Sequence, residues 1–190
     1  IGDEILYGQI VDTNSQWIGA ELSKAGIRAV RTTTVGDVSN DILDAFAEAE
    51  KRVDIVLITG GLGPTNDDLT KPCLASYFNC EMKIHAEALA EVTAFFASRG
   101  RPLTEVNRLQ ASLPVCCEKI TNRLGTAPGM WFERNNKVFV SMPGVPHEMK
   151  VMMTDIIIPK LLKVYNTPII HHTVIRTVGI GESFLADKIS

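Results

Sequence analysis

Hydrophobic and polar positions along the chain follow two periods, one typical of helices and one typical of strands. A helical period predicts an amphipathic helix that is capped by Asn14 and ends at Gly26, and a second helix that is capped by Ser39. Between and after these helices lie two strand candidates, a β-branched run at residues 27–35 and a nearly all-apolar run at residues 53–59. A strand without polar positions is typical of a parallel sheet that helices cover on both faces. The pattern therefore predicts an α/β fold.

The second half of the chain continues this alternation and adds an antiparallel excursion. Residues 130–134 and 137–142 read as strands, and they flank Asn135 and Asn136. Because asparagine tolerates left-handed backbone conformations, this pair predicts a two-residue hairpin turn. Three further helices are predicted to have their caps or first residues at Asp68, His85 and Thr104.

The last helix of the main domain contains two prolines. Pro146 can open this helix at its first turn, whereas Pro159 must kink or end it. A polar Asn-Thr-Pro stretch follows. After it a new strand is predicted at residues 169–178, and residues 179–182 are predicted to open a new helix. We therefore divide the chain into a main domain at residues 1–166 and the start of a truncated second module at residues 167–190.

Composition and charge indicate which binding partners and which cellular location to expect. The 19 Lys and Arg residues and 22 Asp and Glu residues give a formal net charge of −3, without the basic excess typical of nucleic-acid binding. The longest runs without charged residues have 12 residues, fewer than the roughly 18 that cross a membrane. No signal-peptide pattern opens the sequence, so we expect a cytoplasmic protein. The cysteines have apolar neighbours and no C-x-x-C spacing, and we expect reduced thiols at Cys73, Cys80, Cys116 and Cys117.

The most informative segment follows the strand at residues 53–59 and is rich in glycine. Its backbone N–H groups can approach an anion, and Gly61 would lie against a ligand phosphate or take a positive φ. The loop has neither the Lys-Ser/Thr of a P-loop nor the glycine spacing of the dinucleotide fingerprint. Asp67 and Asp68 follow it, and their charges repel unless a cation or a polar network offsets them. The candidate phosphate-binding residues here are Thr59, Gly60, Gly61 and Gly63.

Further carboxylates follow the other predicted strands. Asp3 comes after the place of a first strand, and Asp37 comes after the second. In an open parallel sheet the carboxyl ends of the strands form the ligand crevice, so these residues should converge there. Hard carboxylate oxygens without His or Cys ligand spacing suit Mg²⁺ or a related divalent ion. The predicted metal ligands are Asp3, Asp37, Asp67 and Asp68, although each carboxylate alone is more typical of a helix cap or a solvated residue.

Together these segments resemble the competence/damage-inducible CinA-like proteins, specifically their N-terminal domain of the molybdopterin-binding (MoaB/MogA-like) fold. The matching segments are residues 2–8, 12–14, 35–37, 59–70, 107–111, 122–129 and 143–149. The resemblance implies a three-layer αβα sandwich with a mostly parallel sheet, to which the hairpin is added.

The resemblance also implies a function. For CinA-like proteins this is metal-dependent hydrolysis of the pyrophosphate of ADP-ribose to AMP and ribose 5-phosphate, and we predict Asp67 and Asp68 as the catalytic residues. A divalent metal ion is the expected cofactor, a small-molecule nucleotide the expected substrate, and homo-oligomers are expected. Further nucleotide-binding candidates are Asn107, Asn122, Gly125, Thr126, Pro143 and Gly144. Two alternatives stay open: a molybdopterin-binding or adenylyl-transfer protein of molybdenum-cofactor synthesis, and a non-catalytic nucleotide-sensing module.

Overall fold

A computed structural model describes residues 1–65, 67–165, 176 and 178–189 of the chain. The elements in chain order are α1 (Asp3–Leu6), α2 (Thr13–Lys24), α3 (Ser39–Arg52), β1 (Ile55–Thr59), α4 (Thr70–Tyr77), β2 (Met82–Ile84), α5 (Ala86–Ala97), α6 (Glu105–Arg108), β3 (Ser112–Pro114), β4 (Glu118–Ile120), β5 (Gly129–Arg134), β6 (Lys137–Met142), α7 (Pro146–Met152), α8 (Ile158–Val164) and α9 (Glu182–Ile189). A 3₁₀ turn (Leu109–Ala111) precedes β3, and a π-helical turn (Met153–Ile157) joins α7 to α8.

The central sheet has the strand order β1-β6-β5-β4. β1 pairs with β6 in parallel, with Ile55 opposite Val138, whereas β5 pairs with both β6 and β4 in an antiparallel way. A separate antiparallel pair consists of β2 and β3. The predicted hairpin is confirmed, since Asn135 and Asn136 have φ values of 54° and 61° between β5 and β6. The prediction of a strand at residues 27–35 is wrong, because this segment is not paired in either sheet.

Two apolar cores lie on opposite faces of the sheet and make the fold a three-layer α/β/α arrangement. Side chains alternate between the faces of a strand, so Val138, Val140 and Met142 of β6 pack with α2, α7 and α8. Phe139 of the same strand packs on the other face with α3, α4 and α5. The predicted α/β class is therefore confirmed, and the methionines of α7 fill the first core.

Some of the predicted helix caps are wrong by one or two residues. Asp12 rather than Asn14 caps α2, because its carboxylate accepts a hydrogen bond from the Ser15 N–H at 2.9 Å. Asp68 does not cap α4, since its carboxylate accepts from the backbone and hydroxyl of Thr65 instead. Neighbouring polar residues all have capping side chains, and only the tertiary structure selects among them. Ser39 is the first residue of α3 rather than its cap, which is Val38. The helix predicted to begin near His85 and the cap predicted at Thr104 are confirmed, with His85 as the capping residue of α5.

The cysteines do not all remain thiols. Cys80 and Cys116 form a disulfide, with their Cα atoms 6.1 Å apart. The pairing of β2 with β3 brings these two residues together, and this non-local contact leaves no signature in the sequence spacing. Cys73 and Cys117 are free, as predicted.

The long helix after β6 does not end at Pro159. Instead, the π-helical turn at Met153–Ile157 joins α7 to α8, and Pro159 lies in the first turn of α8. A proline lacks an N–H and its ring collides with the preceding turn of a regular helix, so a locally widened turn accommodates it. Met153, Ile157 and Leu161 all stay completely buried along this helix.

The second module lies mostly outside the described residues. The strand predicted at residues 169–178 falls there, whereas the predicted helix after Gly181 is present as α9. The division of the chain at residue 166 therefore stays a prediction. In the described part of the chain, no helix is both long enough and apolar enough to cross a membrane.

Candidate functional site

A crevice of about 520 Å³ lies at the carboxyl ends of β1 and β6. Its walls come from the loop that follows β1, the loop between β6 and α7, residues 10–14 and residues 126–127. The ends of neighbouring strands are where an open α/β sheet places its ligands, because the connecting loops diverge there. The crevice thus has the position that the sequence predicted for the site.

The glycine loop after β1 is held in one shape by its own contacts. Gly60 and Gly61 have positive φ values of 96° and 63°. The Thr70 hydroxyl donates to the Gly60 carbonyl at 2.9 Å, and the Thr70 N–H donates to the Gly61 carbonyl at 3.2 Å. A Cβ added to Gly61 would lie 2.2 Å from the Thr70 hydroxyl oxygen. The predicted positive φ of Gly61 is confirmed, and close packing against Thr70 is a second reason for glycine at this position.

The two adjacent aspartates have different surroundings. One oxygen of Asp68 accepts hydrogen bonds from the Thr65 N–H at 3.0 Å and from the Thr65 hydroxyl at 2.6 Å. Gly63 passes so close that an added Cβ would lie 2.2 Å from the same carboxylate oxygen. Asp67 is exposed at the crevice, and the described residues offer its carboxylate no hydrogen-bond partner. Asp68 therefore shapes the loop, whereas Asp67 is available to a ligand.

The four predicted metal ligands do not form one cluster. The Asp3 N–H donates to the Asp37 carboxylate at 3.1 Å, and the Asp37 N–H donates to the Asp3 carboxylate at 3.2 Å. Over residues 1–65, 67–165 and the described residues beyond them, no group of three or more His, Cys, Asp or Glu side chains could hold a metal ion. Because Asp3, Asp37 and Asp68 already accept hydrogen bonds from the chain, this donor set does not fit a divalent ion. The metal requirement stays a prediction.

The other predicted residues fall into two groups. Thr59, Thr126, Pro143 and Gly144 line the crevice with the glycine loop. Asn122 is instead buried behind it, where its amide donates to the Ala127 carbonyl at 2.9 Å and to the Glu148 carboxylate at 2.6 Å. Its carbonyl oxygen accepts from the Gly125 N–H at 3.0 Å. Asn122 and Gly125 therefore support the wall, and they, like Asn107, are not among the residues that line the crevice.

Asn14 is a site residue that the sequence analysis used only as a helix cap. It lies in the first turn of α2, lines the crevice, and donates its amide to the Gly144 carbonyl at 2.8 Å. Its Oδ1 atom is buried, and within the described residues it has no hydrogen-bond partner. A buried acceptor without a donor is costly, so Asn14 Oδ1 is suited to accept a hydrogen bond from a ligand in the crevice.

Lys71 is a second residue that the sequence analysis missed. It is only 5% exposed, and its ammonium donates to the backbone carbonyl of Gln110 at 2.9 Å and to the side-chain carbonyl of Gln110 at 3.3 Å. Burial lowers the pKa of Lys71 to about 8, although the nearby Asp68 carboxylate opposes this shift. Because Gln110 lines the crevice, Lys71 positions one wall from behind. The only sequence signal was a lysine next to the helix start after Asp68.

Comparison with known proteins identifies the family to which this chain belongs. A family model described as "Probable molybdopterin binding domain" matches residues 1–163, and the chain belongs to that family. Among curated proteins, it is 52% identical over 190 residues to a CinA-like protein of Cytophaga hutchinsonii, and 47% identical to one of Flavobacterium psychrophilum. Each alignment covers 100% of this chain but 46% of the relative, so the chain spans less than half the length of these relatives.

Solved structures agree with this family. The protein CinA of Thermoplasma acidophilum superposes with a TM-score of 0.75 at 33% identity, covering 86% of this chain and 94% of the other. The tungsten cofactor synthesizing protein MoaB of Pyrococcus furiosus superposes with a TM-score of 0.54 at 23% identity, covering 85% and 90% of the two chains. At this lower identity the second match concerns the fold alone. The predicted resemblance to CinA-like proteins with a MoaB/MogA-like fold is confirmed.

Proposed function

We propose that the crevice binds a phosphate-bearing heterocyclic small molecule of the molybdopterin class, with a nucleotide as the related alternative ligand. The observation that carries this proposal is the unpaired Oδ1 acceptor of Asn14 beside the glycine loop, in a crevice at the carboxyl ends of β1 and β6. The family description and the MoaB-like fold support it.

The two ends of such a ligand match two parts of the crevice. Backbone N–H groups of a glycine loop with positive φ can donate hydrogen bonds to phosphate oxygens, because no side chain stands between them and the ligand. Asn14 Oδ1 can accept a hydrogen bond from a ring N–H or from a ribose hydroxyl. An unsatisfied buried acceptor costs about 1–3 kcal/mol, which a ligand donor would recover.

Ligand titration of an Asn14 variant tests this proposal. Titration calorimetry with a phosphorylated pterin, AMP and ADP-ribose should detect binding, and Asn14→Ala should weaken it by roughly tenfold. Asn40→Ala is the matched control, because Asn40 occupies the same second position of α3 but is exposed and distant from the crevice. Equal affinities of the two variants, or the absence of binding to every probe, would overturn the proposal.

A second candidate function is hydrolysis of the pyrophosphate of ADP-ribose. Asp67 favours it, since an exposed carboxylate beside a phosphate-binding loop can orient a water molecule for attack at phosphorus. The similarity to CinA-like proteins favours it as well. No catalytic metal is assigned, because the described carboxylates do not form a donor set for one.

Product analysis separates hydrolysis from binding. The protein is incubated with ADP-ribose and a panel of divalent ions, and AMP is separated by chromatography. If the protein hydrolyses ADP-ribose, the natural protein should release AMP, and Asp67→Asn should release it at least tenfold more slowly. If ADP-ribose binds without any turnover, hydrolysis is excluded and a nucleotide-sensing module is favoured.

A further inference from the structure

The side chains that line the crevice carry mostly negative charge. Six carboxylate residues lie among them: Glu4, Asp12, Asp37, Asp67, Asp68 and Glu148. Within the part of the chain that the structure describes, no lysine or arginine lines the crevice. A phosphate would be repelled by these carboxylates, because like charges a few ångströms apart interact strongly where water is partly excluded. Binding of a phosphate here therefore gains from positive charge that lies behind the walls.

Lys71 places a cation directly behind one wall. It is the second residue of α4, and it follows Thr70, whose hydroxyl holds the glycine loop. The Lys71 ammonium donates to the backbone carbonyl of Gln110 at 2.9 Å and to the side-chain Oε1 of Gln110 at 3.3 Å. Gln110 itself lines the crevice. One amide group therefore separates the ammonium from the space that a ligand would occupy.

The charge of Lys71 is not cancelled by an ion pair. Lys71 is only 5% exposed, and no carboxylate of the described residues forms a salt bridge with it. Lys119 is similarly buried, but its ammonium pairs with Glu91 at 2.5 Å and with Glu87 at 3.5 Å. Lysine is rarely buried without such a partner, because removing its charge from water is costly. The charge of Lys71 therefore remains able to act on a ligand.

Lys71 also fixes the direction of the Gln110 amide. An ammonium can only donate hydrogen bonds, so it holds Oε1 toward itself and turns Nε2 away. Over the described residues, Nε2 has no hydrogen-bond partner, although Gln110 is only 5% exposed. The positive charge next to Oε1 polarises the amide and makes Nε2 a stronger donor. Gln110 therefore offers a ligand a donor rather than an acceptor.

We propose that Lys71 and Gln110 make the crevice selective for the phosphate of its ligand, with Lys71 supplying positive charge and Gln110 Nε2 donating to a phosphate oxygen. This inference rests on the proposed function, because it assigns residues that bind the anionic end of the same ligand. Gln110 contacts the ligand, whereas Lys71 is a positioning residue that acts through Gln110. Salt screens a buried charge less than a surface charge, so the selectivity should persist at moderate ionic strength.

Pairs of probes that differ only in a phosphate test this proposal. AMP is compared with adenosine, and the phosphorylated pterin with its phosphate-free form, by NMR titration of the full chain. Lys71→Met removes the charge. Gln110→Glu keeps oxygen atoms for Lys71 to bind, but it neutralises the Lys71 charge and removes the donor. Each variant should lower the preference for the phosphorylated probe by about tenfold or more.

Lys119→Met is the matched control. It makes the same exchange at another buried lysine, but that lysine is ion-paired and is not among the residues that line the crevice. The preference for the phosphorylated probe should stay within about twofold of that of the natural protein. Lys71→Met removes a buried charge and Gln110→Glu gives that charge a partner, so both variants should fold, and urea denaturation checks this.

An unchanged preference in Lys71→Met or in Gln110→Glu would overturn the proposal. An equal loss in Lys119→Met would overturn it too, because general loosening of the fold would then explain the result. If Asn14→Ala weakens binding while both crevice variants keep the preference, the proposed function stands and only this inference fails. If the natural protein binds none of the phosphorylated probes, the proposed function itself fails, and this inference fails with it.

Discussion

The crevice differs in its construction from a second cavity, here called the groove, which has a volume of about 610 Å³ and lies between residues 28–35 and residues 53–59. Around the crevice, loops are joined by specific polar contacts, such as those of Thr70 with the glycine loop and of Asn14 with Gly144. Along the groove, one edge of β1 faces residues 28–35, and among the described residues β1 pairs only with β6. The shape of the crevice is thus fixed by side-chain and backbone hydrogen bonds between its loops, whereas the walls of the groove are apolar and are not joined by strand pairing.

The strongest test of the fixed crevice loop is Gly61→Val. A β-branched side chain at φ +63° would be strained and would collide with Thr70, so we expect a loss of about 3 kcal/mol in the free energy of unfolding, measured with urea. Gly100→Val is the matched control, because Gly100 has φ +62° with open space around an added Cβ. It should lose only about 1–2 kcal/mol. Equal losses would contradict a loop held by packing.

The wall behind the crevice can be tested through the titration of Lys71. Its folded pKa of about 8 lies below the unfolded value of 10.5, so the unfolded chain binds more protons between these values. Stability therefore rises with pH through this window, and below about pH 8 the cost of the buried charge is present in full. Relative to Lys71→Met, the natural protein should gain on the order of 2 kcal/mol between pH 8 and pH 10.

Chemical denaturation at several pH values measures this difference. Lys51→Met is the control, because it makes the same exchange at an exposed position of α3. Burial also raises the pKa of the Cys117 thiol to about 11. This shift makes the free energy of unfolding fall as the pH rises toward 11, which opposes the effect of Lys71. The comparison is therefore made in a Cys117→Ser background. Parallel curves for Lys71→Met and the parent protein would show that the amine is not buried.

The adjacent aspartates give a smaller effect. Asp68→Asn should lower the free energy of unfolding by about 1 kcal/mol, because the charge that strengthens its two hydrogen bonds with Thr65 is lost. Asp67→Asn should change it by less than about 0.5 kcal/mol, as is usual for an exposed residue without partners. Urea denaturation of both variants tests this order, and the reverse order would contradict the assignment of Asp68 to the loop.

The smallest effect is expected in the groove. Val30→Thr should alter the free energy of unfolding by less than about 0.5 kcal/mol, because Val30 is 64% exposed. Val140→Thr is the same exchange at a completely buried position. It should lower the free energy of unfolding by about 1–3 kcal/mol, because the new hydroxyl would be buried without a hydrogen-bond partner. A comparable loss at both positions would show that the groove wall is already packed.

Periodicity was sufficient to predict most of the fold. The nearly all-apolar run of β1, the hairpin at Asn135 and Asn136, and the start of α7 at Pro146 depend on local sequence, and all are present. Residues 27–35 were predicted as a strand because composition is local, but pairing requires a neighbour at hydrogen-bonding distance. The Cys80–Cys116 disulfide could not be predicted for the same reason, because the spacing of the cysteines in the sequence does not reveal the contact between β2 and β3.

The site was predicted at the level of segments rather than side chains. Loop position follows from topology, so the glycine loop and the loop that begins at Pro143 were found. The role of each side chain depends on which neighbour it meets. The sequence could not separate Asp67 from Asp68, and it gave no sign that the Lys71 amine turns inward to Gln110. The sequence likewise gave no sign that Asp3 and Asp37 accept hydrogen bonds from each other's backbone N–H groups.

The π-helical turn at Met153–Ile157 sets the direction in which the side chains after it point from one long helix. An α-helix advances about 100° per residue, so Met153 and Leu161 would point roughly 80° apart if the helix were regular. The wider turn absorbs this angle, and both side chains are completely buried. The extra residue of this turn therefore leaves the direction of the later side chains unchanged. A one-residue deletion within it would give a regular helix with Met153 and Leu161 seven positions apart and only about 20° from the same face, so Leu161 would stay buried.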